Sequence, residues 1–256
     1  MQFFSLRTAI DYFRERDSTV YASALDVSKA FDNVNHYKLY TSLLKAGFSG
    51  WVVEAIGQLV RQTVAVRWQG SFSDSFMVQS GVRQGSSLSP AIFYIFINAF
   101  IVKLRETNYG CCINGDFVGC VMYADDLILI SASVNGLQTL LNCCHTVSLD
   151  LLLKFNCAKS TCIAIGLRSS FNVSNMQLGD YFISWSNKLK YLGVMFNVHN
   201  KTLSMDVIRR QFVAACNCLL GNSIHQNEIL KLYLQESYAL PVLQYACSAI
   251  SFTNHR

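Results

Sequence analysis

Proline is nearly absent, at 2 of 256 residues, and the chain has no proline-rich or Gly/Ser tract, no block of like charge and no repeating period. These gaps exclude a linker-rich chain, a disordered charged tail and a solenoid. Long apolar runs are missing too. The strongest candidate, Ala91 to Val102 (AIFYIFINAFIV), is broken by Asn98 and falls short of the roughly 20 residues a bilayer span needs. It is expected to be a buried helix, and no membrane partner is expected. Zinc-site cysteine spacing is also lacking. Cys111/Cys112 and Cys143/Cys144 are adjacent pairs among ten cysteines, but no Cys-x-x-Cys pairs with a second such pair or with spaced histidines. With no signal peptide at the start, the expectation is an intracellular, reduced protein, nuclear or cytoplasmic and not secreted. Its thiols are read as small buried hydrophobes.

What is present is apolar material for a sizeable core, 52% of the chain. Charge is unevenly divided. Residues 1 to 150 carry 11 basic and 12 acidic residues, and residues 151 to 256 carry 10 basic and 4 acidic. A basic lobe beside a near-neutral one suits a protein that grips a nucleic-acid backbone with one part and does chemistry with another.

Local patterns order the elements. Thr19 to Leu25 is β-prone and ends on Asp26, and His36 to Ala46 and Trp51 to Gln62 read as helices. Thr63 to Val78 reads as a hairpin around Gln69-Gly70. Ser89-Pro90 suggests an N-cap followed by a first-turn proline, opening a helix to about Leu104. Phe117 to Tyr123 and Leu127 to Ser131 are apolar strands separated by Ala124, Asp125 and Asp126, which is hairpin spacing. Gly136 to Lys154 is helical, a strand is expected within Phe155 to Ile165, and Trp185 to Phe196 reads as strand pieces around Gly193. Helices return at Met205 to Leu219 and Glu228 to Leu240, with a domain boundary near 197 to 203.

Nucleotidyl transfer needs two cations about 3.5–4 Å apart, and hard cations want carboxylates. Asp26 at a strand end and Asp125 at a hairpin tip would meet if their strands were neighbours. Acids between apolar strands repel one another unless a cation intervenes. Successive strand residues face opposite ways, so one of the pair, Asp125, is expected to point at the metals with Asp126 supporting.

Leu25 to Asp32 (LDVSKAFD), Ser80 to Pro90 (SGVRQGSSLSP), Tyr123 to Asp126 (YADD), Phe155 to Thr161 (FNCAKST) and Lys190 to Phe196 (KYLGVMF) occur in the order typical of reverse transcriptases. They resemble those of non-LTR (LINE-type) retrotransposons over about residues 20 to 196. The resemblance implies an α+β polymerase palm, an antiparallel sheet backed by helices, with partial fingers and a partial helical thumb. Residues 1–200 would be palm with residual fingers, and 201–256 a partial thumb. The implied activity is RNA-directed DNA synthesis, with an RNA template, a DNA primer and dNTPs as partners and two Mg²⁺ ions as cofactors, Mn²⁺ being a substitute. No protein partner is indicated.

Position by position, the resemblance makes Asp26, Asp125 and Asp126 the metal-binding triad, with the Val27 carbonyl as a further ligand. Phe31 matches the aromatic gate that rejects a ribose 2′-OH. Gln84 and Gly85 match the segment beside the incoming nucleotide, with Arg83 touching template or phosphate. Lys159 matches the general acid for the leaving pyrophosphate, and Tyr191, Leu192 and Gly193 match the primer grip. Lys29 and Asp32 are explained by surface charge and helix capping. One departure is that only 25 residues precede Asp26, where family members carry a long basic fingers region. The expectation is therefore an N-terminally truncated chain. The alternative is an inactive retrotransposon remnant that keeps the fold and at most binds nucleic acid, and a third possibility is another palm enzyme, against which Gln84-Gly85 and YADD argue.

Overall fold

Asp126 to Ser131 (DLILIS) has four consecutive fully buried apolar residues, Leu127 to Ile130, and a strand buried on both faces belongs in the middle of a sheet. In the computed structural model it does. The structure describes residues 2–166, 174–191, 194–197, 205–223 and 226–247.

In chain order the elements begin with α1 (Gln2–Arg14), β1 (Val20–Asp26), α2 (His36–Lys45) and α3 (Gly50–Val60). Four short strands follow, β2 (Thr63–Val64), β3 (Arg67–Trp68), β4 (Ser71–Phe72) and β5 (Phe76–Met77), then α4 (Ser89–Glu106). Next come β6 (Cys112–Ile113), β7 (Asp116–Phe117), β8 (Cys120–Tyr123), β9 (Asp126–Ser131), α5 (Val134–Leu151) and β10 (Thr161–Ile165). The remainder is β11 (Met176–Leu178), β12 (Tyr181–Ile183), β13 (Lys188–Tyr191), β14 (Val194–Asn197), α6 (Met205–Asn222), α7 (Glu228–Leu234) and α8 (Leu240–Cys247).

The chain divides into two compact units. One comprises Val20–Cys162 and Asn172–Trp185, the other Met1–Thr19, Ile163–Phe171 and Ser186–Arg256. The first holds β1, β8 and β9 of the main sheet, whose strand order is β10-β1-β9-β8, and the start of β10. β1 pairs antiparallel with β9, and β9 with β8. Leu25, Leu127 and Leu129 join one cluster with Phe96, Phe100 and Leu104 of α4 and Leu137, Leu140 and Leu141 of α5. Burying each such side chain contributes about 1.5–3 kcal/mol, so this layer dominates the stability of the unit.

In the second unit, Gln235–Ala239 forms a π-helical turn immediately before α8. Pro241 follows, and a proline that cannot donate to the residue four back accounts for the widened turn. Among the described residues no helix is long and apolar enough to cross a membrane.

Several expectations shift. The hairpin tip is Ala124-Asp125 alone, because Asp126 already pairs with Tyr123 in the ladder. The cap of α4 is Leu88, with Ser89 buried as its first helical residue and Pro90 in the first turn. The β11–β12 hairpin was not anticipated, since Met176 to Ile183 mixes apolar and polar residues too briefly to register as alternation. The thiols are mixed in exposure. Cys111, Cys144 and Cys162 are buried, but Cys112 and Cys218 are exposed, the former in a two-residue edge strand. Burial pushes the Cys111 and Cys120 thiols up to about 12, so those two stay protonated and inert. The expected boundary near 197 to 203 falls largely outside the described residues.

Candidate active site

Asp26 is the last residue of β1, and the β1–β9 register sets it directly opposite Asp126. Residues opposed in an antiparallel pair share a face of the sheet, so both carboxylates issue on the same side. Asp125 lies one residue beyond the ladder, in the turn, and its carbonyl accepts from the Val27 N–H at 3.3 Å. The turn rather than the pleat sets its direction.

That turn is strained. Ala124 has φ 51°, a left-handed conformation that costs an L-residue about 1–2 kcal/mol. A glycine is the ordinary occupant where a two-residue hairpin needs positive φ. Ala124→Gly is therefore expected to raise stability by about 0.5–1 kcal/mol, read as a higher denaturation midpoint. Turnover should fall, because glycine leaves the direction of Asp125 less fixed. Unchanged stability would remove the strain argument.

The segment after α5 wraps the backbone of Asp26. Asn156 N donates to Asp26 O at 2.8 Å, and Ser28 N to Lys154 O at 2.8 Å, enclosing an isolated Val27–Phe155 bridge. In such a pair the Val27 N–H and C=O point away from Phe155. Val27 N accordingly meets Asp125, and its carbonyl is turned toward the hairpin side. Asp26 N donates to the Ser160 hydroxyl at 3.4 Å, and that hydroxyl donates to Asn156 O at 2.8 Å. Lys159 Nζ stands 3.8 Å from Asp26 Oδ2 with its side chain 70% exposed. A long, exposed ion pair of this kind contributes little to stability, so the ammonium is free to leave Asp26 for a stronger anion.

The Gln84 segment is tied to the other side of the same string. Val82 N donates to Phe31 O, Gly81 N to Val34 O, and buried His36 Nε2 to Gly81 O, each at 2.8 Å. Gln84 Nε2 donates to Asp32 Oδ1 at 3.1 Å. Phe31 is half-buried and stacks on Phe93 with centroids 4.4 Å apart, which fixes the ring's plane. Arg83, Gln84 and Gly85 are exposed. Asp32 thus orients Gln84 rather than capping a helix, since the cap of α2 is Asn35, whose side chain accepts from Lys38 N. Sequence reasoning read Asp32 as a helix cap and passed over His36, Asn156 and Ser160. A lone His at a helix start carries no signal, and the other two were masked by more obvious neighbours.

Tyr191 is buried at the end of β13, in the other unit. Leu192 and Gly193 lie outside the described residues.

Among the described residues no three His, Cys, Asp or Glu side chains converge as a preformed metal cage. The facing carboxylates Asp26 and Asp126, the adjoining Asp125 and the outward Val27 carbonyl are all hard oxygen donors. They are the donor type that hard divalent cations take, such ions being held by carboxylates and completed by water and substrate phosphate.

The family model for "Reverse transcriptase (RNA-dependent DNA polymerase)" matches residues 2–196. The chain is 28% identical over 208 residues to the Pol polyprotein from the retrotransposable element R2DM of Drosophila melanogaster, covering 75% of this chain and 18% of that protein. It is 25% identical over 253 residues to a 149 kDa protein of transposon TX1 from Xenopus laevis, covering 96% and 19%. The chain therefore spans about a fifth of the length of these relatives. Two solved telomerases share the fold. One, from Candida tropicalis, has TM-score 0.56, 17% identity and coverage of 78% of this chain and 39% of that one. The other, from Candida albicans in complex with a telomeric RNA fragment, has TM-score 0.55, 11% identity and coverage of 96% and 43%.

Proposed function

The chain belongs to the reverse transcriptase family, and from that membership we propose that it carries the nucleotidyl-transfer site of an RNA-directed DNA polymerase of a non-LTR retrotransposon. The observation that carries this reading is the register of β1 and β9, which opposes Asp26 to Asp126 with Asp125 at the adjoining tip. Residues 1–200 are assigned to a palm with residual fingers elements and 201–256 to a partial thumb. The partners are an RNA template, a DNA primer and dNTPs.

Asp26 and Asp125 are the principal ligands, Asp126 supports them, and the Val27 carbonyl adds an oxygen. Two bound Mg²⁺ ions, or Mn²⁺ in their place, would activate the primer hydroxyl and neutralise charge on the triphosphate. The primer 3′-hydroxyl loses its proton to water, its oxygen attacks the α-phosphorus, and the bond from that phosphorus to the bridging oxygen breaks. Lys159 leaves Asp26 and gives its proton to the departing pyrophosphate. Phe31, held flat by Phe93, excludes a ribose 2′-OH. The Gln84 amide bonds the sugar or phosphate, Gly85 admits the nucleotide close to the backbone, and Arg83 meets template or phosphate. Tyr191, with Leu192 and Gly193, holds the primer end.

The test is primer extension on poly(rA)/oligo(dT) with dTTP and Mg²⁺. Product that requires the RNA template supports the reading, and a folded chain that yields none leaves the inactive remnant as the better account. Lys159→Met is expected to lower kcat about 10²-fold with little change in KM for dTTP, measured by single-nucleotide incorporation. An unchanged kcat would reduce Lys159 to a surface charge.

A further inference from the structure

Between Val60 and Val82, both in the core, residues 61–81 contribute no side chain to the hydrophobic cluster. This stretch forms an exposed ribbon. Thr63 pairs with Met77, Val64 with Phe76, Arg67 with Phe72 and Trp68 with Ser71, closed by a turn at Gln69 (φ 47°) and Gly70 (φ 86°). A two-stranded hairpin is marginal by itself. This one nonetheless leaves Phe72 70% exposed and Met77 63%. Such apolar exposure gains nothing in folding and marks a binding surface.

Charge and register identify the occupant. Residues 61–83 carry three arginines, Arg61, Arg67 and Arg83, against one acid, Asp74, and Asp32 adds a second acid beside Arg83 in the groove. The Arg67 guanidinium sits over the Phe72 ring, 5.6 Å from its centroid. Trp68 and Ser71 alternate to the opposite face. One face therefore joins a ring to a cation, the pairing that holds unpaired nucleotides by stacking and phosphate attraction. At the foot of the ribbon a groove of about 430 Å³ is lined by Val64 and Val78 together with Asp32, Arg83 and Gln84. The foot of the ribbon thus adjoins the segment assigned to the incoming nucleotide.

We infer that the Arg67–Phe72 face binds the unpaired strand of the template ahead of the primer terminus. A base stacks on Phe72, and Arg67 pairs with the adjoining phosphate. This rests on the polymerase reading for the identity of the strand, but not for the contact.

The full chain, its Arg67→Ala/Phe72→Ala variant and its Trp68→Ala variant would be titrated with a labelled single-stranded RNA oligonucleotide, and with template–primers that are blunt or carry an unpaired template extension. The double variant should lose about tenfold or more in affinity for the oligonucleotide and the extended duplex. The salt dependence of binding should weaken by about one phosphate contact, with blunt-duplex affinity unchanged. Trp68→Ala should bind as wild type. Equal affinity in wild type and double variant, loss on the blunt duplex as well, or conversion of a dimer to a monomer would each overturn the inference. Primer extension read in parallel separates the two claims. Phe72-dependent binding without extension sinks the polymerase and spares the ribbon, and extension with unchanged affinity does the reverse.

Discussion

Asp125→Ala should abolish RNA-templated extension, by about 10³-fold or more, while leaving the chain at least as stable as before. The two effects have one cause. Asp26 and Asp126 are opposed in the ladder and Asp125 adjoins them, so gathering all three onto shared cations brings like charges together at a cost that only the cations offset. Removing one relieves that repulsion and also removes a ligand. Two readouts separate the ligand role from general disruption. The melting temperature of the variant without metal should equal or exceed that of wild type. Wild type should gain about 1.4 kcal/mol when Mg²⁺ is tenfold over its Kd, and the variant should gain less. Asp126→Ala should cost less activity than Asp125→Ala. If instead Asp125→Ala extends normally and Asp126→Ala does not, the principal ligand is the residue across from Asp26, and the tip residue merely shapes the turn.

How much of this was legible depended on whether a feature is local. The apolar run before Asp26, the pair of strands around Ala124-Asp125 and the helix after Pro90 are each written in contiguous residues, and each formed in its expected place, except that the first strand of the pair starts at Cys120 and leaves Phe117 in a separate short hairpin. The order of motifs also gave the family. The register that opposes Asp26 to Asp126 is not local, because it joins residues a hundred positions apart through a sheet that periodicity cannot assemble. Nor is the wrapping of Asp26 by Asn156 and Ser160, or the acceptance of Gln84 by Asp32. Asp32 illustrates the difficulty. Its string read as a helix cap because Asp is favoured there, but Asn35 took that role and released Asp32 for a contact 52 positions away. The unanticipated exposure of Cys112 has the same origin, since its small edge hairpin has no counterpart in hydropathy.

Gly81→Ala should be the most damaging substitution outside the carboxylates. Gly81 adopts φ +91°, and a Cβ there would lie 2.8 Å from Asp32 O and 3.1 Å from Phe31 O. Both neighbours are backbone, so neither can swing aside. Left-handed strain of about 1–2 kcal/mol and overpacking of about 1–3 kcal/mol together predict a loss of about 3 kcal/mol, read as a melting temperature lower by about 10 °C. The functional consequence follows from what Gly81 joins. Its carbonyl accepts from His36, its N–H reaches Val34, and Val82 is bonded to Phe31. Displacing it moves the Gln84 segment away from the Phe31 ring. KM for dTTP should rise and discrimination against ribonucleotides should weaken, in assays below the lowered melting temperature. His36→Ala offers a gentler version, because it removes one bond to the same carbonyl without adding an atom, and it should shift KM in the same direction with a smaller loss of stability. A destabilised Gly81→Ala that kept the wild-type KM and discrimination would show that the Gly81 junction supports the fold alone and does not set the geometry of the nucleotide site.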